Sequence, residues 1–197
     1  IQRLNNLGII GPSLVAAHCV YLNDQDINIL AKNKVSIVYN PTSNMKLGSG
    51  IANVAKMIKK NLNVSLGTDS SASNNRLDIM EEMRLAALLI KGSTKLPELI
   101  PAKDAIKLAT INGAKALGLD SIIGSIEKNK KADLVAIDLN TIENQPIYNP
   151  LTTLVYSSSR SDVSYVWIDG KLKLKDKKLV NIDEERIKQM AKQIKGK

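Results

Sequence analysis

The stretch that most constrains this chain is residues 63–75, Asn-Val-Ser-Leu-Gly-Thr-Asp-Ser-Ser-Ala-Ser-Asn-Asn. Val64, Ser65 and Leu66 read as a short buried strand, Gly67 lets the backbone turn, and Asp69 stands where the strand ends. A run of small polar residues follows, and then the start of a strong helix. Where strands alternate with helices, chemistry collects at the carboxyl ends of parallel strands, so a carboxylate at this point is a candidate functional group.

The upstream pattern supplies the alternation. Leu14 to Ala17 form an apolar run ending at His18 and Cys19, and Val35 to Tyr39 form a second, stopped by Asn40-Pro41. Between them Asp24 is placed to cap a helix with Ile27, Leu30 and Ala31 inward. A helix over 51–60 carries Ile51, Val54, Ala55 and Ile58 on one face. After the third strand, Asp78 and Glu81 match a capping box ahead of an apolar stripe of Ile79, Met83, Ala86, Ala87 and Ile90. A further helix runs from Pro101 to Gly118, with Ala105, Ile106, Ala109, Ala116 and Leu117 buried. This order predicts parallel strands covered by helices. Three strands make a small sheet for such a domain, and a closed barrel of this kind needs eight. With an Ile at position 1 in what reads as the end of a helix, a piece of a longer protein is expected.

Beyond Gly124 the pattern changes. Residues 132–138 and 164–168 read as strands, Asp169-Gly170 is a strong hairpin turn, and 171–174 returns with alternating apolar residues. A basic amphipathic helix over 183–194 closes the chain, packing through Ile187, Met190, Ala191 and Ile194. Three units are therefore expected: 1–122, α/β; 123–180, a small β unit; and 181–197, a basic helix.

The net charge of +9 raises the question of nucleic acid, which its distribution answers. Residues 171–197 hold ten Lys/Arg against four Asp/Glu, so the excess is mostly a feature of the tail. With 3% aromatic residues there is little to stack on bases. A solvated basic surface is expected, with no nucleic-acid partner. The single cysteine, Cys19, excludes an internal disulfide framework, and with no signal peptide and no membrane-spanning apolar run a cytoplasmic location and no membrane partner are expected.

His18 is the only histidine. Taken alone, a lone His at a strand end is more often a structural hydrogen-bonding residue than a catalyst, and Asp69 reads equally as a turn residue or helix cap. Together they are more telling, because both follow short apolar strands and parallel neighbours bring them to one face. An imidazole near a carboxylate able to bind a metal is a workable hydrolytic pair. A zinc site normally takes three protein ligands, so further ligands would have to lie outside these residues. Lys46, Ser49, Gly48 and Gly50 read either as an anion-binding loop or as a plain connection. Cys19 reads as a small buried apolar residue.

Ala-His-Cys-Val at 17–20, Asn-Pro-Thr-Ser-Asn-Met-Lys-Leu-Gly-Ser-Gly at 40–50, Leu-Gly-Thr-Asp-Ser-Ser-Ala-Ser-Asn-Asn at 66–75 and Glu-Glu-Met-Arg-Leu-Ala-Ala-Leu-Leu at 81–89 resemble the metal-dependent amidohydrolases. Within them the chain is most similar to the 5-methylthioadenosine/S-adenosylhomocysteine deaminases, with guanine deaminases and triazine chlorohydrolases as relatives. Residues 109–118 and 124–135 continue the resemblance. It implies the carboxyl-terminal part of a (β/α)8 barrel, its last three strands, with part of an accessory β-sandwich. It further implies one zinc or another divalent ion, with Asp69 as a metal ligand and proton acceptor and His18 orienting the attacking water. The implied substrate is a small purine nucleoside, deaminated with release of ammonia, and a homo-oligomer is compatible with the family. The family's remaining metal histidines and its glutamate proton shuttle are absent from this sequence, so the chain alone is expected to be inactive. Tyr39, where many relatives carry His, and Ser70-Ser71, where Gly-Ala is frequent, bear on substrate more than on reaction type. The alternatives are another heterocycle aminohydrolase, or a noncatalytic scaffold that kept the fold.

Overall fold

The computed structural model describes residues 1–194 of the 197-residue chain. The expected terminal helical unit runs to residue 197, and its last residues lie outside the described residues. Three strands, β1 (Val15–Ala17), β2 (Ser36–Tyr39) and β3 (Asn63–Leu66), form a parallel sheet in that order, with Ala16 opposite Ile37 and Ile37 opposite Val64. The central strand is the best buried, and Ile37 and Tyr39 are fully enclosed. β1 differs from the buried strand expected: at one edge of the sheet, it leaves Val15 and Ala17 exposed.

Helices fill the connections. α1 (Gln2–Asn6) precedes the sheet, and α2 (Asp24–Lys32) joins β1 to β2. Its cap is Asn23 rather than Asp24: the Asn23 side chain accepts from Asp26 N at 2.9 Å, and the Asp26 carboxylate accepts from Asn23 N at 3.2 Å. A short helix α3 (Pro41–Lys46), with Pro41 in its first turn, follows β2 and was invisible to periodicity because its inward residues include Ser43 and Asn44. α4 (Val54–Lys59) is shorter than the 51–60 expected, since Asn53 caps it and Ile51 is left outside and exposed.

α5 (Ile79–Thr94) starts at Asp78, whose carboxylate accepts from Met80 N and Glu81 N, a cap worth about 1 kcal/mol. Glu81 pairs with Arg76 at 3.1 Å. Met83, Ala86, Ala87 and Ile90 face the core as expected, but Ile79 is exposed and Glu82 is buried in its stead.

The helix expected over 101–118 is broken into α6 (Ala102–Leu108) and α7 (Ile111–Ala116) at Thr110, where φ is −132° and ψ −99°. The break swings α7 onto β3: the Asn112 amide donates to Val64 O at 2.8 Å, and the Asn63 amide donates to Asn112 O at 3.0 Å. Leu117, expected inside, is exposed as a result. Gly118 ends the segment at φ +67°, as its placement predicted.

The second sheet is an antiparallel run of β4 (Leu134–Ile137), β5 (Val163–Ile168), β6 (Lys171–Lys175) and β7 (Lys178–Leu179). Asp169 and Gly170 turn β5 into β6 with positive φ at both positions. Between β4 and β5 lies α8 (Pro150–Tyr156), unforeseen in the sequence, which packs on α5 and α6 with Val155 in the core. Arg84 of α5 donates from Nε to Val155 O at 3.1 Å and from Nη2 to Ser158 O, satisfying carbonyls at the end of α8. The last helix, α9 (Glu184–Ile194), buries none of its residues, so the expected packing stripe of Ile187, Met190, Ala191 and Ile194 stands open. Among the described residues no helix is long and apolar enough to cross a membrane.

Gly67 carries a packing constraint. A Cβ there would fall 2.5 Å from Asn40 Oδ1 and 2.6 Å from Val38 Cγ1. Both contacts are on the central strand and its continuation, where nothing swings aside freely. Gly67→Ala is expected to cost about 1–3 kcal/mol of unfolding free energy in urea denaturation; an unchanged midpoint and slope would contradict this packing.

Candidate active site

The carboxyl ends of the three parallel strands converge. After β1, His18 donates its backbone N–H to Val38 O at 2.9 Å, while Cys19 N donates to Ala17 O at 2.8 Å and closes a very tight turn. His18 and Cys19 consequently sit at φ 63° and 53°, and Asp69, two residues past Gly67 at the end of β3, sits at φ 61°. Left-handed backbone at non-glycine residues costs about 1–3 kcal/mol each and persists only where surrounding contacts impose it. Both sequence-predicted site residues carry it.

Their side chains meet. His18 Nε2 lies 3.8 Å from Asp69 Oδ2, with the two side chains 41% and 31% exposed, so the pair is open to solvent. The other ring nitrogen, Nδ1, is 2.8 Å from Asn44 Oδ1 on α3. Asp69 is held on every side: the Ser43 and Ser73 hydroxyls each donate to Oδ2 at 2.6 Å, and Ser70 N donates to Oδ1 at 2.8 Å. These donors, the Ser43 hydroxyl first, then Ser73, then the Ser70 amide, with the nearby imidazole adding to them, pull the carboxyl pKa down to about 2.

A fully buried carboxylate, Glu82, accepts from Thr42 N at 3.0 Å and from the Asn74 amide at 2.6 Å. Burial raises its pKa, opposed by its bonds to Thr42 and Asn74. Lys46 donates to Ala72 O at 3.0 Å and to Asn75 Oδ1 at 2.6 Å. Of the two readings open for this loop, that of a plain connection fits, because the ammonium is engaged as a strut. Cys19 packs against the core with its thiol pushed up to about 11 by burial, and so stays a thiol.

Of the side chains gathered here, sequence reasoning singled out His18 and Asp69 and passed over Ser43, Asn44, Ser73 and Glu82. The first three lie in polar stretches with no periodicity to mark which side chain turns inward. Glu82, beside Glu81 in the first turn of α5, reads as one more dipole-complementing acid.

The donor chemistry fits part of a divalent-metal site. Asp69 is ionised, its oxygens are reachable, and a carboxylate oxygen is a ligand zinc and its neighbours accept. Among the described residues no group of three or more His, Cys, Asp or Glu is placed to hold a metal.

The serines make the carboxylate testable. Ser43→Ala and Ser73→Ala are each expected to raise the Asp69 pKa toward 3.8, the two together more than either, as read by 13C carboxylate titration. Because the folded pKa is depressed, Asp69 contributes stability that is complete above its unfolded value and lost as pH falls through about 2. In the double variant that contribution shrinks, so the two proteins differ in stability most above the unfolded value and converge in strong acid. A titration unmoved by both substitutions would contradict the assigned donors.

The chain is similar to known proteins along almost its whole length. The family model described as the amidohydrolase family matches residues 1–173. A 5-methylthioadenosine/S-adenosylhomocysteine deaminase of Acetivibrio thermocellus is 49% identical over 187 residues, 95% of this chain and 43% of the relative. A 5′-deoxyadenosine deaminase of Methanosarcina barkeri is 44% identical over 191 residues, 97% of this chain and 44% of the relative. The solved structure of an adenosine deaminase from Xanthomonas campestris with bound zinc superposes with a TM-score of 0.95 at 39% identity, over 98% of this chain and 44% of that one. The chain thus spans less than half the length of the relatives it matches. On the extent of the family match, and on a fold shared almost throughout, the chain belongs to the amidohydrolase family.

Proposed function

We propose that this chain is the carboxyl-terminal part of a metal-dependent aminohydrolase that removes the amino group of an adenosine-type nucleoside, 5-methylthioadenosine or S-adenosylhomocysteine, as ammonia. The observation that carries the reading is the meeting of His18 and Asp69 at the carboxyl ends of β1 and β3, each in left-handed backbone imposed by its turn. The names borne by the relatives support the choice of nucleoside, and their use of both thioether and 5′-deoxy substrates leaves the ribose tail as the variable part. In this reading residues 1–122 are the last three strands of a (β/α)8 barrel with their helices. Residues 123–180 belong to an accessory β-sandwich, and α9 (Glu184–Ile194) follows as a terminal helix.

Asp69 would hold the metal together with ligands from outside this chain. When bound, a zinc ion makes a water acidic enough to serve as nucleophile near neutral pH. The rest of the task falls to residues described above. His18, with Nδ1 engaged by Asn44, has Nε2 free to orient the attacking water. Asp69, ionised across the physiological range, is suited to ligation and is a weak base, so a proton passed to it is readily handed on. The water oxygen ends on the purine carbon that carried the amino group. Its protons end on the ring nitrogen and on the departing ammonia, which balances hydrolysis of the amidine to a 6-oxopurine.

The test is ammonia release from both nucleosides by the zinc-loaded whole enzyme. Asp69→Asn and His18→Ala are expected to lower kcat by at least about 100-fold, the scale of general acid–base contributions. A folded, metal-loaded enzyme that releases no ammonia from any purine would overturn the reading in favour of another heterocycle or a noncatalytic scaffold. Activity retained in Asp69→Asn would overturn its assigned role.

A further inference from the structure

Two bridges join the same two segments. Towards solvent, Asp69 Oδ2 accepts from Ser43 on α3 and from Ser73 in the loop after β3, both at 2.6 Å. Towards the core, Glu82 accepts from the adjacent residues, Thr42 N at 3.0 Å and the Asn74 amide at 2.6 Å. Asn74 Oδ1 in turn accepts from Arg76 N and Leu77 N at 3.3 Å, so the loop is fixed through the same side chain. Glu82 is 1% exposed and Asn74 2%. No cationic partner is paired with Glu82 among the described residues, so a charge there is balanced only by N–H dipoles, and burying a carboxyl in this way is an expensive arrangement that a leucine on the same helix face would avoid.

On the functional reading above, we propose that Glu82 is a positioning residue: it sets the spacing of α3 from the 70–75 loop, and thereby holds Ser43 and Ser73 on one oxygen of Asp69. The geometry favours this over mere core filling, because the two groups Glu82 binds are sequence neighbours of the two that bind Asp69. Its action on the metal site is indirect, through Ser43, Ser73 and the orientation of the Asp69 carboxylate.

The experiment is a coupling measurement on the whole enzyme. Zinc affinity is read by chelator competition and kcat by ammonia release, for wild type, Glu82→Gln, the Ser43→Ala/Ser73→Ala double variant and all three substitutions together. Glu82→Gln is expected to weaken zinc binding by about 10-fold, within the range seen when a group orienting a metal ligand is lost. In the double-serine background the same substitution is expected to change affinity by less than about 2-fold, because its route to Asp69 is already gone. Asn74→Ala attacks the clamp from the loop and is expected to repeat the pattern if Glu82→Gln folds poorly. Arg84→Ala, elsewhere on α5, is expected to lower stability and leave zinc affinity unchanged. Equal losses in both backgrounds, or no loss in either, would overturn the proposal. An enzyme that holds zinc through this network but deaminates no purine would instead overturn the functional reading, with the clamp still decided by the affinities.

Discussion

Two serine hydroxyls converge on one oxygen of Asp69, and the arrangement of the site follows from that convergence. A carboxylate on a turning loop has several rotamers, all well solvated, and nothing intrinsic selects one. Two short charge-assisted bonds from different segments, with a third from the following amide, select it and keep the group ionised. The same bonds oblige the chain to bring α3 and the 70–75 loop together over the end of the sheet. Lys46 and Glu82 brace that contact from its two sides. The left-handed backbone at His18 and Asp69 is held by hydrogen bonds on either side, His18 N to Val38 O and Ser70 N to Asp69 Oδ1 among them.

The sheet that supports this end of the molecule was legible because its strands are short, largely apolar segments, with only Ser36 and Ser65 interposed, bounded by polar or turn residues. Val64 and Ile37 announce themselves, and Asp69 follows from where the third run stops. The α5 stripe was legible through Met83, Ala86 and Ile90 at helical spacing. Illegible were features decided by tertiary contact. Thr110 breaks a helix that propensity would continue, because α7 gains the Asn63 and Asn112 exchange with β3. Val155 becomes core through packing between α8, α5 and α6, and its segment has no periodicity long enough to read. α9 shows the opposite case, a clear amphipathic stripe that none of the described residues cover.

Within the site the division is similar. His18 and Asp69 were legible from residue type and position at strand ends. Ser43, Ser73 and Asn44 are small polar residues of types that usually face solvent, and only the folded chain shows that Ser43 and Asn44 are fully buried and Ser73 nearly so. Glu82 was concealed by its neighbour, since two acids at a helix start look alike until one is found inside. The resemblance to the amidohydrolases singled out His18 and Asp69 within these stretches and gave no role to Ser43, Asn44, Ser73 or Glu82.

The central claim is that Asp69 is presented, ionised and oriented, as a metal ligand with His18 beside it. It is tested most directly by the crystal structure of the zinc-loaded full-length protein with anomalous data collected at the zinc edge. The account predicts an anomalous peak about 2.0–2.2 Å from an Asp69 carboxylate oxygen, with His18 Nε2 facing the metal's water while Nδ1 still meets Asn44. A zinc bound elsewhere, or bound with Asp69 turned away to its serines alone, would contradict it.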